Sequence, residues 1–84
     1  RDARLRELAR PRWAPVRITR VADAPLETLV FLDERHLRPG TRLRIQACTA
    51  ENDIIKVRSA EWHGTLLPAG AGVLHASLHD EAAR

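Results

Sequence analysis

Methionine and tyrosine are absent from these 84 residues, and there is only one cysteine, one phenylalanine and two tryptophans. With Cys48 alone no disulfide closes within the chain, so a reducing compartment is the simplest setting and a cytoplasmic protein is expected. A chain without methionine that opens on Arg1 does not start at its own initiator, which predicts a processed or excised segment. No apolar run approaches the roughly 20 residues that span a bilayer, and the arginine-rich opening lacks the continuous apolar core of a signal peptide; no membrane insertion is expected. The few aromatics offer no stacking surface of the kind single-strand nucleic-acid binders use. No nucleotide loop, zinc-finger spacing or Ser/His/Asp order is present either, so the chain is expected not to be an enzyme.

What the chain does contain is ordinary for a small folded domain, with 44% hydrophobic and 30% charged residues. A domain of this length buries only about 60% of its unfolded surface, which predicts that it leans on a partner surface. Leu37-Arg38-Pro39-Gly40 is the most informative phrase, because it separates two hydrophobic periods. Before it, Leu26, Leu29, Val30 and Leu37 fall near helical spacing with Glu27, Asp33, Glu34 and Arg35 on the wet face, predicting a helix over Pro25 to His36. Pro25 suits the first turn and Asp23 is placed to cap it. After it, Leu43, Ile45 and Ala47 alternate with Arg42, Arg44 and Gln46, predicting a strand.

Val16, Ile18 and Val21 predict an earlier strand over Pro15 to Val21, and Ile54 to Arg58 a later one beyond a turn over Thr49 to Asp53. Trp62-His63-Gly64 reads as a reversal leading into Thr65-Leu66-Leu67. Pro68 to Gly72 forms a corner before a last strand over Val73 to Ala76. Leu29, Val30, Ile45 and Val57 are the expected core. The pattern predicts a mainly β domain, a small barrel of about five strands with one short helix after the first strand. It extends over residues 15–78, preceded by the end of another domain and a linker over 1–14 and followed by a tail over 79–84.

Charge is uneven: residues 1–20 hold seven arginines against Asp2 and Glu7, so that the net +3 of the whole leaves a slightly acidic remainder. The basic excess therefore reads as a solvated linker, and no groove-reading helix is evident. Cys48 reads as a small buried filler. His75 and His79, followed by Asp80 and Glu81, have the spacing of a metal pair only on a helix; on a strand they read as exposed tail residues. His36 faces the dipole at the helix end, and Trp13 and Trp62 read as core or interface anchors.

Val16-Arg17-Ile18, the leucine-rich helix, Leu37-Arg38-Pro39-Gly40-Thr41, the two short strands and the corner from Leu67-Pro68 to Val73 together resemble the FeoA-type SH3-like domain. Many such domains carry a glycine pair where this chain has Glu51-Asn52-Asp53. The domain occurs alone as ferrous iron transport protein A and as the C-terminal domain of the diphtheria toxin repressor family of metal-dependent regulators. The resemblance implies an accessory domain of a manganese- or iron-dependent transcriptional regulator, docking on its own dimerisation domain. In such a parent protein the expected partners are a second copy in a homodimer and duplex DNA, bound through a missing N-terminal domain. It also implies an ancillary metal site fed from the segment after the first strand. Asp23 and Glu27 are the matching oxygen donors for Mn²⁺ or Fe²⁺, while helix cap and solvated first-turn acid remain the alternative roles of the same two residues. The alternative function is a stand-alone FeoA-type module that binds a ferrous iron transporter.

Overall fold

The computed structural model describes residues 2–51 and 53–79. Six strands and three short helices follow in the order β1 (Ala3–Arg4), α1 (Leu5–Leu8), β2 (Ala14–Val21), α2 (Leu26–Glu34), β3 (Arg42–Ala47), β4 (Ile55–Ser59), β5 (His63–Leu66), α3 (Pro68–Ala71) and β6 (Leu74–Leu78). The strands form one antiparallel sheet in the order β1-β6-β2-β3-β4-β5, a curled sheet whose outermost strands are not paired with each other. This is the mainly β, SH3-like architecture expected, with β1 as an additional strand.

Alternation along the strands sets the two faces of the sheet. Val16 and Ile18 on β2, Leu43 and Ile45 on β3, Ile55 and Val57 on β4, Leu66 on β5 and Leu74 and Ala76 on β6 are all buried. Register keeps them on one side: Val16 lies opposite Leu43 and Leu78, and Ile45 opposite Val57. A bulge between Ile18 and Arg20 bends β2 around this core.

The Pro39-Gly40 signal is a turn closed by the Thr41 N–H on the Arg38 carbonyl, 3.0 Å, with Gly40 at φ 95°. Proline at the second and glycine at the third position, the latter with positive φ, define a type II turn. The same turn is stitched to β2, because the Gly40 N–H donates to the Ile18 carbonyl at 2.7 Å and the Ile18 N–H to the Thr41 carbonyl at 2.9 Å.

Helix α2 is shorter than the spacing predicts, and its buried side is different. It ends in a Schellman motif: the Leu37 N–H reaches the Leu32 carbonyl and the His36 N–H the Asp33 carbonyl, both at 3.0 Å, with His36 in the left-handed region at φ 60°. Leu37 is thus carried into the core by the cap rather than by helical periodicity. Leu32 is the buried residue of α2, Phe31 packs against the core, and Val30 is 43% exposed, so Val30 is not a core residue. Pro25 stands at the N-cap instead of in the first turn, and no side chain caps the helix. Asp23, two residues outside it, is an exposed residue and not a cap.

The N-terminal arm differs most from expectation. Leu5 is fully buried and Ala9 nearly so, Ala3 pairs with Ala76, and the Ala47 N–H donates to the Arg10 carbonyl at 2.7 Å. Gln46 Nε2 adds a 2.6 Å bond to the Pro11 carbonyl. The segment read as a linker is built into the core, since Leu5 and Ala9 cover its end. The turn before β5 lies at Ser59 to Trp62, where Ser59 Oγ accepts from the Glu61 and Trp62 N–H groups, so it begins before the Trp62-His63-Gly64 reading and ends where that reading starts. The Pro68 corner is a single helical turn with proline at its start. Cys48 is exposed, because β3 ends at Ala47 and the next residue leaves the sheet. Asn52, Asp80, Glu81 and most of the 79–84 tail lie outside the described residues.

Candidate functional site

The segment from Ala22 to Leu26 joins β2 to α2, and two opposed constraints shape it. The Ala22 N–H is held by the Val73 carbonyl at 2.8 Å, which keeps the end of β2 against the strand partner, while Pro25 starts the helix through its carbonyl, which accepts from Thr28 and Leu29. Between these anchors Asp23 is exposed, and Glu27 is exposed in the first turn of α2. Two exposed carboxylates do not make a metal centre, because hard divalent cations want about six oxygen ligands. Among the described residues no group of three or more His, Cys, Asp or Glu converges to hold a metal ion.

Glu27 does border a second feature that the sequence reading did not single out. A groove of about 260 Å³ runs between α2 and α3, lined by Glu27, Thr28, Phe31, Leu67, Ala69 and Gly70. Gly70 lies on its floor, buried beside Leu66 and Phe31. Leu67 on its rim, just before α3, is 63% exposed, and Leu26 at the start of α2 is 75% exposed. Both are large apolar side chains left open to solvent. The signal present in the sequence was Leu67 directly before Pro68, an apolar residue placed where it cannot enter the sheet.

The remaining candidates have structural partners. His75 lies in β6 beside Arg20, whose Nη2 is 3.3 Å from the ring Nδ1, and His79 follows the strand, its N–H bonded to the Pro15 carbonyl at 2.9 Å. The two imidazoles are therefore not on a helix face. His36 Nε2 stands 3.9 Å from Glu61 Oε1. Trp62 packs against the core, while Trp13 lies under the Arg58 guanidinium at 4.7 Å.

No family model matches this sequence, and a search of curated proteins returns no match. Solved structures do match. The chain superposes on the metal-dependent transcriptional regulator MtsR with a TM-score of 0.73 at 14% identity, over 92% of this chain and 36% of that one. It superposes on the manganese regulator SloR with a TM-score of 0.65 at 18% identity, over 81% of this chain and 31% of that one. This chain spans about a third of the length of either regulator. At such identities the likeness is one of fold, and the fold seen here, an SH3-like sheet with a helix after its first long strand, is one that two metal-dependent transcriptional regulators also contain.

Proposed function

We propose that this chain is the accessory SH3-like domain of a manganese- or iron-dependent transcriptional regulator of the diphtheria toxin repressor family. The observation that carries this reading is the superposition on MtsR over 92% of this chain but only 36% of the regulator, the proportion of a module within a larger protein. In this reading residues 15–78 are the SH3-like unit, and the segment before them brings the chain in from a preceding domain while packing on the unit. The parent protein is a cytoplasmic homodimer that binds duplex DNA through another domain. The alternative is a stand-alone module on an iron transporter; the likeness of fold to two regulators supports the first reading.

The domain docks on its own dimerisation domain through the groove between α2 and α3. Exposed Leu67 on its rim, with Leu26 next in sequence to the lining residue Glu27, supplies the apolar contact, and each leucine fully buried on docking contributes about 1.5–3 kcal/mol. Asp23 and Glu27 lie at the start of the same helix and lend carboxylate oxygens to an ancillary Mn²⁺ or Fe²⁺ site completed by the partner domain.

Calorimetric titration tests this at two levels. The 84-residue chain alone should take up Mn²⁺ weakly or not at all. In the regulator that contains it, Asp23→Ala and Glu27→Ala should each lower occupancy of a second metal site, and Leu67→Glu should release the domain from its dimerisation partner. Unchanged stoichiometry and affinity in both carboxylate variants would remove the metal role and leave docking alone.

A further inference from the structure

None of the six strands contains an aspartate or glutamate, although nine of the eleven acidic residues lie between Asp2 and Glu61. All of those nine sit in helices, turns and connections. The strands carry the cations instead. Inward positions are taken by the core, so Arg17 on β2, Arg42 and Arg44 on β3, and Lys56 and Arg58 on β4 project from the outer face of three adjacent strands. Register gathers them: Arg17 lies opposite Arg42, and Arg44 opposite Arg58. The mildly acidic sum of residues beyond position 20 conceals this segregation.

Like charges directly opposite weaken an antiparallel pair, so the fold gains nothing from this arrangement. The face is also shaped. A groove of about 270 Å³ is walled by Arg42, Arg44, Arg58 and His79, with Pro15 beside them. The Trp13 ring holds the Arg58 guanidinium by a cation–π contact at 4.7 Å. Arg17 Nε is buried without a hydrogen-bond partner among the described residues. Side chains two apart on a strand repeat at about 7 Å and neighbouring strands at about 5 Å, giving a two-dimensional lattice of positive charge.

A lattice of cations with few acids complements a surface of regularly repeated anions. Duplex nucleic acid offers one phosphate charge per about 1.7 Å of axis. Bases of a single strand would need exposed rings to stack on, but Trp13 is covered by Arg58 and Trp62 packs against the core. A membrane surface would favour apolar anchors among the cations, whereas the exposed large apolar residues sit on α2, beside α3 and at the end of β6.

We propose that the outer face of β2, β3 and β4 is a phosphate-backbone clamp that holds duplex nucleic acid without regard to sequence. This surface is separate from the groove between α2 and α3, so its failure leaves the docking reading intact and the reverse also holds.

The test is fluorescence anisotropy of the 84-residue chain with labelled duplexes of about 20 base pairs and two unrelated sequences, at salt concentrations between about 50 and 200 mM. Both duplexes should bind equally, and five phosphate contacts predict a loss of affinity of about 500-fold across that range. Arg42→Gln combined with Lys56→Gln should reduce the log–log salt slope by about 2, while Arg6→Gln on α1 should leave it nearly unchanged. Both substituted positions are exposed, and circular dichroism confirms the fold of each variant. Absence of binding at the lowest salt, a slope untouched by the double variant, a marked preference for one sequence, or tighter binding to phosphatidylserine vesicles or to polyglutamate would each overturn the proposal.

Discussion

The guanidinium of Arg35 lies 3.6 Å from the centroid of the Phe31 ring, one helical turn before it, and 5.6 Å from that of Trp62. Its Nη1 also donates to the Phe31 carbonyl at 2.9 Å, so one side chain closes the end of α2 and ties it to the turn before β5. Arg35→Ala should therefore cost about 1–2 kcal/mol. Arg35→Lys should fall between the variant and the native chain, because an ammonium keeps the charge but not the planar contact. Urea denaturation midpoints measure both; a lysine variant as stable as native would show that the rings contribute nothing.

Burial separates two residues of α2 that hydrophobicity alone does not. Leu32→Ala should cost about 2–5 kcal/mol, as should Ile45→Ala in β3, whereas Val30→Ala should change stability by no more than about 0.5 kcal/mol. Leu32 is 1% and Val30 43% exposed. Thermal unfolding of the three variants in one buffer decides the order.

His36 occupies the left-handed position that glycine fills in most Schellman caps. His36→Gly removes the steric cost of a Cβ at φ 60° and should raise stability by about 1 kcal/mol, despite the loss of the exposed contact to Glu61. A lower melting temperature would mean that the imidazole contributes more than the strained backbone costs.

Gly64 lies beneath the Trp62 ring, and a Cβ there would overlap the ring atom Cζ2. Gly64→Ala should push the indole off the sheet, lower stability by about 1–3 kcal/mol, and shift tryptophan fluorescence toward the red. Unchanged emission and stability would place the ring elsewhere in solution.

Local chemistry was readable in the sequence where one residue type dictates a conformation. Pro39-Gly40 required a turn, and the alternation of Leu43 with Ile45 identified a buried face that the structure retains. Readings failed where a distant partner decides. Leu5 fell in the segment read as the end of another domain and a linker, because nothing near it in sequence indicates that Ala3 pairs with Ala76. Leu37 appeared to extend a helical stripe, and that false phase turned Val30 inward. Each cationic strand position was visible as a polar alternation, yet only the register of β2, β3 and β4 brings them side by side. The groove near Glu27 needed α3, a single turn hidden in what read as an irregular corner.

Because β1 pairs with β6 alone among the described residues, the first strand of this sheet to be made is the last one satisfied. Ala3 leaves the ribosome long before Ala76, and at about 5–20 residues per second the wait is one of seconds. During that interval Leu5 has no core to enter. This domain therefore carries an exposed apolar arm until β6 emerges, and completion of its sheet is timed by the arrival of that strand.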